Sequence, residues 1–207
     1  MKLGKKAMEA LQAEIWGKLK AGDELVVIGA IALKGTSMAA AAEYDRLRKH
    51  FSAGFLKSAI DLPNEYGVGE FPRECEAWKM AGEAGATALY AMREGGFLSG
   101  LWKMAEASSV GLEAEFTRIP IRQETIEICE VLDLNPYKLL SDGAILVGIP
   151  AGEALVQELR RKGLMASVIG QTNDGNDRLL YYNGNGRYLE RPAKDEIYKV
   201  TERISEN

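Results

Sequence analysis

The sequence is poor in residues that build metal and nucleophile sites. It has two cysteines, Cys75 and Cys129, and one histidine, His50, in 207 residues. The cysteines lie far apart, in no Cys-x-x-Cys spacing, so neither a disulfide framework nor a zinc site is expected, and a reducing cytoplasm is the default. One histidine excludes multi-histidine metal sites, and it sits in the charged run Arg46-Leu47-Arg48-Lys49-His50. Long apolar runs are missing too. The best, residues 25–33 and 144–149, fall far short of the ~20 residues of a membrane-spanning helix. Excess positive charge is absent: 26 Lys+Arg against 30 Asp+Glu give −4, which provides no field for nucleic acid. Residues 1–20 mix Lys2, Lys5, Lys6, Glu9 and Glu14 with apolar positions, so no secretory leader is expected.

What is present suits a globular domain, with 46% hydrophobic and 27% charged residues. Met8, Leu11, Ile15 and Leu19 recur at helical spacing, predicting a helix over 7–19. Residues 25–33 read as a buried strand, and Thr36 as the N-cap of a helix running to about His50. Further helices are expected over 52–60, 73–82, 97–107, 123–132, 153–161 and 194–203, the fifth of these closed by Gly163. A loop is expected over 63–72. Strands are expected over 86–92, 110–116 and 144–149. Short strands at 166–171, 178–182 and 187–190 are separated by Asn173-Asp174-Gly175 and Asn183-Gly184-Asn185-Gly186, turn sequences that accept positive φ. The pattern is α/β, or α+β, with an antiparallel meander near the C-terminus. Residues 1–20 form an N-terminal helical extension and 21–207 the domain.

Several linked segments carry a resemblance. Leu101-Trp102-Lys103-Met104-Ala105-Glu106-Ala107-Ser108, Val110-Gly111-Leu112-Glu113 and Ile119-Pro120-Ile121-Arg122-Gln123-Glu124 form the first group. Asn135-Pro136-Tyr137-Lys138-Leu139-Leu140-Ser141-Asp142-Gly143 and Val168-Ile169-Gly170 follow, with Gly22-Asp23-Glu24-Leu25-Val26 and Leu33-Lys34-Gly35-Thr36 upstream. Together they resemble the C-terminal domain of the aminoimidazole ribonucleotide (AIR) synthase superfamily, nearest its HypE-like, hydrogenase-maturation-factor-like subgroup. The resemblance implies a mixed, mainly antiparallel sheet covered by helices. It also implies a cleft normally completed by an N-terminal ATP- and magnesium-binding domain, and only twenty residues precede the matching region here.

The family pattern Asp-x-Thr/Ser-x-Gly-Gly reads Ala91-Met92-Arg93-Glu94-Gly95-Gly96 in this chain. Ala91 stands where the carboxylate is expected, and a methyl group holds no metal and orients no nucleophile. The chain ends Ile204-Ser205-Glu206-Asn207, without the cysteine on which the maturation chemistry of the resembled enzyme acts. No catalytic residue, metal ligand or cofactor is therefore assigned, and a pseudoenzyme is the expectation.

Candidate binding residues remain. Gly95 and Gly96 open a helix, where amide N–H groups and the helix dipole attract phosphate, and Arg93 adds a bidentate partner. The same glycines also suit a tight turn that binds nothing, and Glu94 repels anions. Arg122 either closes over a substrate or is a solvated arm before a helix. Lys138, Ser141 and Asp142 either border the cleft or belong to a packing turn that seats Tyr137 and Leu139. Cys129 reads as a small buried hydrophobe and Cys75, between Glu74 and Glu76, as a poor nucleophile. The expected function is a stand-alone binding module, for a small phosphorylated or nucleotide-like ligand or for a protein partner. Its alternatives are a subunit of an ATP-dependent enzyme completed by a separate ATP-binding chain, and a purely structural oligomer. A homodimer is the expected assembly.

Overall fold

A computed structural model describes residues 3–69 and 72–205. Eight strands form one sheet: β1 (Trp16–Gly17), β2 (Glu24–Ile28), β3 (Ala88–Ala91), β4 (Gly111–Glu115), β5 (Ile145–Ile149), β6 (Ala166–Asn173), β7 (Arg178–Tyr182) and β8 (Asn185–Tyr188). Their spatial order is β1-β3-β5-β2-β6-β4-β7-β8. Every pairing is antiparallel except β4 with β7. The helices are α1 (Lys5–Glu14), α2 (Leu33–Ala42), α3 (Tyr44–Leu47), α4 (Ala53–Tyr66), α5 (Glu76–Glu83), α6 (Gly96–Ser108), α7 (Gln123–Leu132), α8 (Gly152–Arg161) and α9 (Ile197–Ser205).

The aliphatic runs of β2 and β5 have a direct cause. Side chains alternate faces along a strand, and both faces of the sheet centre are covered. Leu25 and Val27 enter the core beneath α2, α4 and α6, whereas Val26 and Ile28 enter a second core beneath α5 and α8. A strand buried on both sides has no polar positions to spare.

Several boundaries move from the sequence expectation. The first helix ends at Glu14, and the chain continues extended into β1, where Gly17 takes φ +73° and Lys18 N–H bonds to Thr87 O at 2.9 Å. Ile15 and Leu19 stay buried, because an extended segment on the core edge satisfies the same apolar positions as a helix. The strand expected over 25–33 stops at Ile28, since Gly29 (φ +82°) and Ala32 (φ +60°) turn the chain into α2. Thr36 is therefore inside α2, not its cap; its buried hydroxyl donates to Thr125 at 3.0 Å. The loop expected from residue 63 begins later, because Pro63 lies inside α4.

The expected C-terminal meander is also corrected. β6 and β7 do not pair; β4 lies between them, antiparallel to β6 and parallel to β7. Gly111 permits this insertion, because a Cβ there would stand 2.2 Å from Asn173 Oδ1 and 2.8 Å from Asp177 O. Only β7 and β8 form a hairpin, turned by Asn183 (φ 49°) and Gly184 (φ 78°).

Candidate functional site

Residues 93–96 connect β3 to α6 at the end of the sheet centre. Gly95 (φ +83°) and Gly96 (φ +66°) both adopt left-handed backbone. Gly96 is also needed for space: a Cβ would lie 2.6 Å from Leu139 O and 2.8 Å from Lys138 C. The turn is thus pressed against residues 138–139, and Arg93 O receives N–H bonds from Gly96 (3.1 Å) and Ser141 (3.4 Å). Arg93, Glu94, both glycines, Lys138 and Ser141 come together in one region of the fold. Asp142 joins them through its electrostatics.

The amide that the sequence offers to a phosphate is already engaged. Gly95 N–H donates to Asp195 Oδ2 at 2.6 Å. The other carboxylate oxygen accepts from Leu140 N (3.1 Å) and Ile197 N (2.8 Å), the latter at the start of α9. Asp195 is buried. Burial pushes its carboxyl above the usual range; the three amides pull it down, and the charge of Glu94 pushes it up again. An internal carboxylate therefore fills the helix N-terminus that would otherwise attract an anion.

The mouth of this region is polar. Arg93 and Glu94 are exposed. Desolvation raises the Asp142 carboxyl, against the pull of Arg93 and Lys34. Glu94 accepts a hydrogen bond from the Tyr198 hydroxyl on α9, and that bond raises the phenol's pKa. Lys138 pairs with Glu190 at 3.2 Å. Ser141 is fully buried, with its hydroxyl accepting from Ala32 N and donating to Leu139 O, each at 2.9 Å. It positions backbone and has no free hydroxyl to offer a ligand.

Arg122 is engaged elsewhere. Its guanidinium lies 3.9 Å from the centre of the Tyr66 ring, and Nε is 3.4 Å from Glu124 Oε2. The solvated-arm picture does not describe it. It braces the start of α7 against the end of α4, two elements that pack together.

Sequence reasoning missed Asp195, Lys34 and Tyr198. Asp195 carries a local signal, an acid just before an amphipathic helix, where a side-chain oxygen accepts from N–H groups. That signal does not reveal its second use at Gly95. Among the described residues no cluster of three or more His, Cys, Asp or Glu is placed to hold a metal ion. Burial pushes the Cys129 thiol up to about 12, helped by Glu196, so it is inert at neutral pH. Cys75 caps α5, its Sγ accepting from Trp78 N at 3.4 Å.

The family described as AIR synthase related protein, C-terminal domain, matches residues 20–182. The chain belongs to that family. It is 24% identical over 192 residues to carbamoyl dehydratase HypE of Rhodobacter capsulatus, covering 89% of this chain and 52% of that protein. Among solved structures, E. coli HypE, a hydrogenase maturation protein, aligns with a TM-score of 0.64 and 21% identity over 89% of this chain and 55% of its own. HypE from a HypE–HypF complex aligns with a TM-score of 0.61 and 20% identity, covering 84% of this chain and 54% of that one. The chain thus spans about half the length of these relatives. It is a HypE-like AIR synthase-related domain with a mixed, mostly antiparallel sheet, and no helix among the described residues is long and apolar enough to cross a membrane.

Proposed function

We propose that this HypE-like domain acts by binding a protein partner and performs no chemistry with its own residues. The carrying observation is the bond from Gly95 N–H to Asp195: the best candidate phosphate cradle already holds an anion from the same chain. A phosphorylated ligand there has to displace a buried carboxylate held by three amides and to approach the exposed charge of Glu94. A partner meets no such obstacle. HypE itself occurs in a complex with HypF, which supports a docking role for a HypE-like fold. We place the protein in the cytoplasm, where the free thiols Cys75 and Cys129 are compatible with a reducing medium.

Isothermal titration of the purified chain with ATP, ADP or inorganic phosphate, each with and without magnesium, tests this reading. The expected result is no saturable heat up to about 1 mM ligand. Saturable phosphate binding that Arg93→Ala abolishes overturns it in favour of a small-ligand site, and magnesium-dependent ATP turnover by this chain alone overturns it in favour of an enzyme.

A second reading draws on the match to about half of each relative: the domain is one part of an ATP-dependent enzyme whose ATP-binding portion lies outside the aligned region. ATPase activity that arises only when an ATP-binding subunit joins this chain favours that reading over simple docking.

A further inference from the structure

We propose that the outer edge of β8, with the cavities at its two ends, takes up an extended acidic peptide segment of a partner protein by strand addition. β8 is the last strand of the sheet, and all four of its residues are exposed. Leu189 N–H bonds to Arg178 O at 2.8 Å. The antiparallel ladder then alternates, so the backbone groups of Arg187 and Asn185 face β7 and those of Gly186 and Tyr188 face outward. Outward N–H and C=O groups on an edge strand are a template for another strand.

Cavities flank this edge. One of about 410 Å³, walled by Phe116, Tyr137 and Tyr182, opens at Asn185 and Arg187. A larger groove of about 1080 Å³, floored by Trp102, opens at Tyr188 and Leu189. Added strands gain affinity from backbone bonds and specificity from pockets that accept side chains, and both components are present here. Tyr182 and Tyr188 are the two most exposed large apolar side chains of the described residues, 58% and 66%, and tyrosine is enriched at binding hot spots.

Charge selects the occupant. Arg187 is the only charged residue of β8; its guanidinium lies 4.7 Å from the centre of the Phe116 ring and has no carboxylate partner among the described residues. The larger groove is balanced, with Arg178 paired to Glu106 at 2.8 Å, so the sign is set at the strand. A second copy fits poorly: antiparallel self-pairing through the outward groups of Gly186 and Tyr188 puts the two Arg187 side chains directly opposite each other, which is destabilising. An acidic segment gains at the same position.

This surface deepens the partner-binding reading and rests on it. Nucleotide binding at Gly95 removes that reading, whereas failure of the peptide assay removes only this surface. The probe is a fluorescein-labelled peptide of alternating glutamate and valine, roughly eight residues long, compared by anisotropy with a lysine–valine counterpart. The expected result is binding about tenfold tighter for the acidic peptide, with the preference reversed by Arg187→Glu. N-methylating alternate peptide amides in one register abolishes binding, and in the other register leaves it intact, as strand pairing requires. Equal binding of both peptides, tolerance of methylation in both registers, or no binding at about 1 mM overturns the proposal. So does a dimer in light scattering that Arg187→Ala strengthens by removing the like-charge pair, since the edge then belongs to a second copy.

Discussion

Gly95 and Asp195 lie 100 residues apart in sequence, yet the amide of one donates to the carboxylate of the other at 2.6 Å. The contact ties the α6 N-terminus to the segment that starts α9, and Leu140 completes the junction from a third segment. It closes the anion cradle and docks the last helix in one step.

Asp195→Asn separates these contributions. The amide keeps one acceptor oxygen for three N–H donors and turns an NH₂ group toward the rest, so a loss of about 1–3 kcal/mol is expected. The pH dependence has a definite sign. Burial raises the native carboxyl above its ordinary 3.8, so the stability linked to its proton is complete below 3.8 and is lost as pH rises through the raised native value. The variant lacks this titration. Its deficit relative to wild type therefore narrows as pH climbs through that window, as read by urea unfolding at several pH values. A deficit that widens over the same range contradicts the assignment.

Gly96→Ala tests whether the turn is built for close packing. Left-handed backbone costs a non-glycine residue roughly 1–2 kcal/mol, and here the added Cβ also meets the backbone of Lys138 and Leu139 inside 3 Å. Gly163→Ala is the control, with φ +80° and nothing within 4 Å of the new carbon. The expected loss at Gly163 is the backbone cost alone, whereas Gly96→Ala loses at least ~1–2 kcal/mol more through displaced backbone. Equal losses in chemical denaturation show that the approach of residues 138–139 carries no energy.

The elements with strong local signals were legible. The apolar runs of β2 and β5 announced strands buried on both faces, and the spacing over 123–132 matches α7 residue for residue. Gly163 follows α8 with positive φ, as a C-terminal stop should. Strand order was not legible, because the placement of β4 between β6 and β7 depends on Gly111 lacking a side chain where Asn173 and Asp177 approach. At the candidate site the Gly95-Gly96 turn was visible and its occupant was not. Asp195 reads locally as a helix cap, and only the folded chain brings it to Gly95. Ser141 misled for a related reason: a hydroxyl beside Asp142 looks available until Ala32 N is found on it.

A second helix N-terminus repeats the arrangement of Asp195. Glu24 of β2 places Oε2 2.6 Å from Gly152 N and 3.3 Å from Glu153 N, at the first turn of α8. Gly152 sits close enough that a Cβ would fall 3.0 Å from Glu24 Cβ and 2.8 Å from Val26 Cγ2, so strand and helix end are matched in shape as well as charge. A carboxylate there satisfies orphan amides and complements the helix dipole. Glu24→Gln keeps one acceptor and removes the charge, for an expected loss of about 0.3–1 kcal/mol that shrinks in high salt. Glu24→Ala also leaves the two amides without their partner, for an expected loss of about 1–2 kcal/mol. Denaturation of both variants in low and high salt reads the two components separately. If Glu24→Gln loses as much as Glu24→Ala, or if salt leaves its loss unchanged, the interaction of the Glu24 charge with the helix dipole is not what holds α8 on the sheet.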